Sequence, residues 1–454
     1  MSHQTPASTI AAPPADAAES AWMHALFLHE RRVPDAASLP AAALEAARAR
    51  ARSWRDATGV DEETFRYRLA TAGINWDDFV LILAAREAGV APAASDERAL
   101  DWVDVVDEIG RGTHAGVEVP RKRWINPDGS EGDAPPFGGF IHPFLQVAVG
   151  RFRQGAAELQ SRHAVPLFES AVELQLVLHL IERLVKQCSG TLILELNVAR
   201  LRGQLEGDTP EERFRYYAER HFTAERVLEL LREYPVLARL MSVTVERWVE
   251  TSLEFLGRFA EDRGALGPAG GELGTLRSVQ VGVSDLHRGG RSVVIAEDVH
   301  GRRVVYKPVS LAVDARMERL VEGISGFGVR HPLRAPRVLD RGEYGWIEHV
   351  GVAGCDTEEE LRRFYWRQGS LIALLHLVRG ADFHHENLLA CGEHPVLVDN
   401  EALFHHNRWT RAGAGTPYEE ASAVMGESVL RQALLPFVFR FTQDARGVDN
   451  SGMG

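Results

Sequence analysis

The chain has 454 residues, 45% hydrophobic and 25% charged, with a formal net charge of −13. That composition fits a soluble globular protein of two or three domains, and the acidic balance argues against nucleic acid as the main partner. Its three cysteines, Cys188, Cys355 and Cys391, lie far apart without a CxxC pair, which gives no sign of a disulfide framework or a thiolate zinc site and fits a reducing compartment.

Residues 1–20, MSHQTPASTIAAPPADAAES, lack the basic and apolar regions of a signal peptide and read as a disordered Ala/Pro/Ser tail. No uninterrupted apolar run reaches the roughly 18 residues of a membrane span, so a cytoplasmic location without a transmembrane segment is expected. Residues 21–265 read as a large helical region. AAALEAARARARSW is Ala-rich and free of breakers, and FESAVELQLVLHLIERLVKQ carries apolar residues at helical spacing. In DTPEERFRYYAERHF, Asp208 or Thr209 caps a helix, with Pro210 at its first position and Glu211 and Glu212 in its first turn. VERWVETSLEFLGRFAED predicts a further amphipathic helix. Residues 112–139 are rich in Gly, Pro and Asp and read as a long loop, with a short basic run at Arg121, Lys122 and Arg123 that needs nothing beyond solvation.

The pattern changes at GALGPAGGELG, residues 264–274, which reads as a linker. SVQVGVSDLHRGGRSVVIAEDVHGRRVVYKPV then alternates Val and Ile with polar residues and breaks at Gly289, Gly290 and Gly301, the pattern of antiparallel strands joined by hairpins. DARMERLVEGISGF predicts a helix and APRVLDRGEYGWIEHV a strand pair. In TEEELRRFYWRQGSLIALLHLVRG, Thr357 and Glu360 make a capping box and Gly380 stands just past the helix end. LLACGEHPVLV then reads as a short strand pair turning at Gly392.

The chemistry concentrates around that last hairpin. Asp382, His384 and Asn387 form a D-x-H-x-x-N string before it, and Asp399 follows it. Transfer of a phosphoryl group from ATP needs a carboxylate for the attacking hydroxyl, an Asn and a second Asp for the magnesium ions, and a Lys on the phosphates. Asp382 and Asn387 are five residues apart, Asp399 follows twelve later, and Lys307 ends an upstream strand. Protein kinases use the same order on the same kinds of element. Taken singly, Asp382 is equally a turn residue, Asn387 a cap and His384 a histidine satisfied by backbone; the four groups in order favour a kinase-like site. The histidine two residues after the Asp is the form found in lipid-kinase-like enzymes. Gly289 and Gly290 would let a hairpin lie close over phosphate, although a simple tight turn explains them equally.

From about residue 20 onward the chain resembles the dehydratase portion of class II lanthipeptide synthetases, the LanM type. The likeness is carried by TLILELNVARLRGQLEGDTPEERF at 191–214, SDLHRGGRSV at 284–293, VVYKPVSL at 304–311 and the stretch DFHHENLLACGEHPVLVDNEALF. The resemblance implies an α+β, lipid-kinase-like two-lobed fold. Its antiparallel-sheet small lobe would fall at 275–355 and its mostly helical large lobe at 356–454, preceded by the helical activation and leader-associated region. It also implies ATP- and Mg2+-dependent phosphorylation of Ser and Thr in a leader-bearing precursor peptide, followed by phosphate elimination to dehydroalanine or dehydrobutyrine. Asp382, His384, Asp285 and His287 would act catalytically, Lys307, Gly289 and Gly290 would face the nucleotide, and Asn387 and Asp399 would hold metal. Association with an export transporter would belong to the same setting.

Two positions depart from the family pattern: Ser284 stands where Gly is usual, and Val309 where Arg follows Lys-Pro. The chain stops at DARGVDNSGMG, within the expected large lobe, so the family's elimination Arg and Thr and its zinc cyclase domain would lie past Gly454. The expectation is an N-terminal fragment or truncated product, with the apolar run VLRQALLPFVFRF awaiting cover and with no zinc site. A lipid or small-molecule kinase, and an inactive leader-binding remnant, compete with the dehydratase reading.

Overall fold

The computed structural model describes residues 21–120, 124–125, 131–132, 135, 137–220, 222–267, 271–404, 415–436, 438–439 and 447–452. The expected tail at 1–20 and the basic run at 121–123 lie outside the described residues, as do parts of the last apolar run and of the final eleven residues. The chain is α+β and divides into two compact units, one of residues 1–164 with 176–256, the other of residues 165–175 with 257–454. None of the described helices is long and apolar enough to cross a membrane.

The first unit is helical. Helix α1 (Ala41–Ala57) presents Ala43, Ala47 and Ala51 to the interior, a four-residue repeat of small side chains that lets a neighbour approach closely. Phe65 and Leu69 of α2 (Glu62–Thr71) and Phe79, Ile82 and Leu83 of α3 (Trp76–Glu87) complete that core. Side-chain caps fix where these helices begin: Asp61 accepts from the amide of Thr64, and Asn75 from that of Asp78. Helix α4 (Val103–Arg111) ends on Gly112, whose φ of 65° closes it in the left-handed conformation.

The stretch 112–139 is less purely loop than its composition predicts. It contains a two-residue strand pair, β1 (Trp124–Ile125) with β2 (Glu131–Gly132), and helix α5 (Gly138–His163) already starts at Gly138. Helix α6 (Ser170–Leu201) runs unbroken through Gly190. Helix α7 (Pro210–Arg220) starts where the Asp-Thr-Pro signal predicts, with Thr209 Oγ1 accepting from the Glu212 amide at 3.1 Å. Helix α8 (Ala224–Glu233) buries Val227, Leu230 and Leu231, an i, i+3, i+4 stripe. Long helix α9 (Pro235–Leu266) bonds to α6 inside the unit: Trp248 Nε1 donates to the Leu176 carbonyl at 3.0 Å, and Gln187 Nε2 to Thr244 Oγ1 at 2.8 Å.

The second unit is built on a five-stranded antiparallel sheet. Its strands are β3 (Leu276–Val281), β4 (Val294–Asp298), β5 (Arg303–Lys307), β6 (Val338–Asp340) and β7 (Gly345–Glu348), in the order β3-β4-β5-β7-β6. The alternating sequence of β5 sorts its faces: Val304 and Tyr306 are buried, while Val305 and Lys307 share the other side. On the Tyr306 side, Trp346 of β7 stands opposite in register, and its ring meets Phe259 from the last turns of α9. Asp262 of the same turns, 4% exposed, accepts from Arg341 Nε at 2.8 Å and from Tyr344 OH and Trp346 Nε1 at 2.9 Å each. Removing one partner of so enclosed a group costs about 3–5 kcal/mol.

Residues 165–175, which include the first turns of α6, attach to strand β3 of this sheet. Phe168 forms a parallel bridge with Leu276, and Gln175 Oε1 accepts from the Val279 amide at 2.7 Å. The stretch 264–274 does not behave as a free linker where it is described. Leu273 is 1% exposed and its amide donates to the Arg263 carbonyl at 2.9 Å, while Arg263 pairs with Glu272, also at 2.9 Å.

A second core lies under the loops of interest. It gathers Met317 and Val321 of α10 (Ala312–Gly326), Leu371, Leu374 and Leu375 of α11 (Glu358–Leu377), and Phe383, Leu388, Leu397 and Leu434. Helix α11 carries the predicted Thr357–Glu360 capping box. Strands β8 (Leu388–Cys391) and β9 (His394–Leu397) form the predicted hairpin, turning at Gly392 with φ 57°. Helix α12 (Pro417–Glu427) follows, again opened by a capping box, and β10 (Val438–Phe439) pairs with β11 (Val448–Asp449).

Candidate active site

The segment carrying Asp382 is shaped by how α11 ends. The Gly380 amide donates to the Leu375 carbonyl at 2.8 Å and the Arg379 amide to that of His376 at 3.3 Å, the two bonds of a Schellman motif. The left-handed position is taken by Arg379 (φ 52°), where sequence reading puts the glycine. Gly380 is needed for a different reason: a Cβ there would lie 2.8 Å from Phe383 Cε2 and 3.0 Å from Leu375 Cδ2. Asp382 itself has φ 65°, a conformation Asp tolerates better than most residues.

Phe383, 1% exposed, is sunk in the core, and its amide donates to the Gln432 carbonyl at 2.8 Å. Its two neighbours stay accessible. The Asp382 side chain is 69% exposed, and His384 Nε2 lies 3.9 Å from Asp382 Oδ1. Asn387 Nδ2 donates to the Asp382 carbonyl at 2.8 Å, which leaves the carboxamide oxygen of Asn387 for another partner. Asp382, His384 and Asn387 therefore form one local cluster.

Val398 joins that cluster to the sheet. Its amide donates to the Asn387 carbonyl at 3.1 Å, and its own carbonyl accepts from Lys307 Nζ at 3.0 Å. Lys307 Nζ also lies 3.5 Å from Asp399 Oδ2, with the two side chains 12% and 34% exposed. One strand-end residue thus links the amine on β5 to the Asp382 loop. Next in the chain, Asn400 is 3% exposed and donates from Nδ2 to Asp314 Oδ1 of α10 at 3.0 Å. Burial pushes the Asp314 carboxyl above the usual carboxylate range, with nearby Asp399 adding to the push and Lys307 and Asn400 pulling against it.

Asp285 and His287 stand apart from this group. They lie on the connection between β3 and β4, where the His287 amide donates to the Arg291 carbonyl at 2.7 Å. Among the described contacts, neither side chain meets Lys307, Asp382, His384, Asn387 or Asp399. Gly289 (φ 73°) and Gly290 (φ 81°) follow in the same loop, in conformations that a side chain would strain. Sequence reading missed Asp314 and Asn400. Asp314 passes for an ordinary acidic residue in a first helical turn, and the signal for Asn400 was its place directly after Asp399.

Among the described residues, no three His, Cys, Asp or Glu side chains gather as a metal cage. The oxygens of Asn387 and Asp399 are hard donors few in number, which suits a magnesium ion that keeps waters and takes further ligands from phosphate.

Residues 234–454 match a protein family described as a domain of unknown function, DUF4135. The chain is also 24% identical over 260 residues to the lacticin 481/lactococcin biosynthesis protein LcnDR2 of Lactococcus lactis subsp. lactis. That match covers 55% of this chain and 28% of the relative, so the chain spans well under half of the protein it resembles. Residues 234–454 are thus similar to the DUF4135 family, and the chain is similar to a lacticin biosynthesis protein, in keeping with the resemblance carried by the motifs at 191–214, 284–293, 304–311 and 382–404.

Proposed function

We propose that the second unit holds an ATP-dependent phosphotransfer site acting on Ser and Thr hydroxyls of a leader-bearing precursor peptide, the first half of a dehydration. In this reading the antiparallel sheet and the helical segment after it correspond to the two lobes of a lipid-kinase-like fold. The observation that carries it is the double engagement of Lys307, with Asp399 at 3.5 Å and with the carbonyl of Val398, whose amide holds Asn387.

Asp382, exposed and raised on a left-handed turn, accepts the proton of the attacking hydroxyl. His384 beside it orients that carboxylate or the phosphate. Lys307 contacts the nucleotide phosphates, and the backbone of Gly289 and Gly290 approaches them from the β3–β4 loop. Asn387 and Asp399 would hold magnesium, which when bound would offset the negative charge of the nucleotide phosphates. Asp285 and His287 come into play with substrate present. The proposal covers the phosphorylation step alone and assigns neither phosphate elimination nor a link to an export transporter to any residue of this chain.

Intact-mass analysis tests it. The chain is mixed with ATP, magnesium and a leader-bearing peptide containing Ser and Thr. Gain of phosphate without loss of water is expected. Loss of water would show that elimination needs no residue outside this chain. Absence of any mass change, with phosphate transferred to a lipid or small alcohol instead, would replace the peptide substrate with that one.

A further inference from the structure

We infer that Asn400 and Asp314 form a positioning couple that holds Asp399 and Lys307 in register, an inference that rests on the phosphotransfer reading above. Three consecutive residues leave the end of β9, and together they reach β5, the Asn387 segment and α10. Val398 takes the amine of Lys307 on β5 and holds Asn387. Asp399 faces Lys307 at 3.5 Å. Asn400 turns inward to Asp314 on α10, and both side chains are buried, at 3% and 7% exposure.

Both side chains give up water at these buried positions, and the described side-chain bond between them is 3.0 Å long. The bond's effect is geometric. Asn400 is joined to Asp399 by a single peptide unit, so fixing its carboxamide limits the backbone rotations that aim the Asp399 carboxylate. Helix α10 is itself anchored to the sheet: Glu318 Oε2 accepts from the Val338 amide at 3.1 Å, and Asp340 Oδ1 accepts from the Leu311 amide, also at 3.1 Å. A closed circuit results, running from β5 through residues 398–400 to α10, then to β6, β7 and back to β5. The Asn400–Asp314 bond is the link that joins the metal-side loop to the helix.

Asn400→Ala in the full chain opens that link without touching Asp399. Hydrogen exchange of the metal-free protein, followed by mass spectrometry over residues 398–404, is expected to speed up in the variant. The magnesium concentration for half-maximal phosphate transfer should rise by about fivefold or more and kcat should fall about 10–100-fold, while KM for the peptide stays unchanged. The double exchange Asp314→Asn with Asn400→Asp reverses donor and acceptor and should restore slow exchange and the magnesium response. Wild-type exchange and magnesium response in Asn400→Ala, beside an active wild-type chain, would overturn the couple alone. A double exchange that folds yet behaves like Asn400→Ala would do the same. A wild-type chain that transfers no phosphate would overturn the phosphotransfer reading, and the couple with it.

Discussion

Two of the loops in the second unit that carry acidic residues of interest, those of Asp399 and Asp285, are built in opposite ways. Residues 398–400 bond to β5, to Asn387 and to α10, and Asn400 is 3% exposed. In the loop at 284–293, the described bonds of Ser284, His287 and Gly290 all close within the loop. Leu286 there is 49% exposed and Val283, just before it, 40%. A loop tied to three elements is set before any substrate arrives. Groups whose described bonds stay within their own loop suit a role that begins when a ligand is bound. The same contrast appears within one strand, since β4 leaves the open loop at Val294 and ends at Asp298, a fully buried carboxylate.

The largest effect should come from Asp399 of the preset loop and from Asp382, on the segment that Val398 joins to it through Asn387. Asp382→Ala removes the proposed proton acceptor and Asp399→Ala the proposed metal ligand, and each is expected to lower phosphate transfer by about 100–10,000-fold. Peptide phosphorylation followed by intact mass measures this, and full activity in either variant removes that residue from the site. Next comes Asp298, which accepts from the amides of Gly274, His300 and Arg302 at 2.8–2.9 Å and from Arg302 Nε at 2.8 Å. Burial alone would raise its carboxyl, but Arg302 and those amides hold it below the usual range. A depressed folded value means the stabilisation is complete above the unfolded value near about 3.9 and is lost as pH falls through the folded one. Asp298→Ala should cost about 3–5 kcal/mol at neutral pH and flatten the acid limb of the stability profile. Urea unfolding at pH 7 and over the acid range reads both effects.

Gly380→Ala tests the turn that presents Asp382. Its methyl group would press on Phe383 and Leu375, two members of the core beneath the loop. A loss of about 1–3 kcal/mol is expected from this overpacking, measured by the shift of the denaturation midpoint at unchanged slope.

The legibility of these features in sequence follows their range. The D-x-H-x-x-N string was readable because Asp382 and Asn387 meet through a bond five residues long, and Lys307 because β5 ends on it. The capping box at Thr357 and a cap at Asp208 or Thr209 were readable for the same reason, and the structure gives the second to Thr209. Asp314 and Asn400, 86 positions apart, carry no local pattern that marks them as partners. Leu167 and Glu169 join Leu276, more than a hundred positions away, through main-chain bonds, which are blind to side-chain identity. Arg379 occupies a left-handed position because Gly380 is committed to a close approach, a choice that depends on where Phe383 packs.

The smallest structural effect belongs to the open loop, and there the two readouts should separate. Asp285→Ala and His287→Ala remove side chains with no described tie to the sheet core, so each should shift unfolding free energy by less than about 0.5 kcal/mol. Phosphate transfer should nevertheless fall by about tenfold or more, because in the proposed function both groups act once substrate is bound. The tied loop gives the opposite pattern in exchange, with Asn400→Ala disturbing the resting protein before any ligand is added. If Asp285→Ala instead lowered stability by a kilocalorie or more, the β3–β4 loop would be holding the sheet together, and the contrast between a preset loop and an open one would fail at that residue.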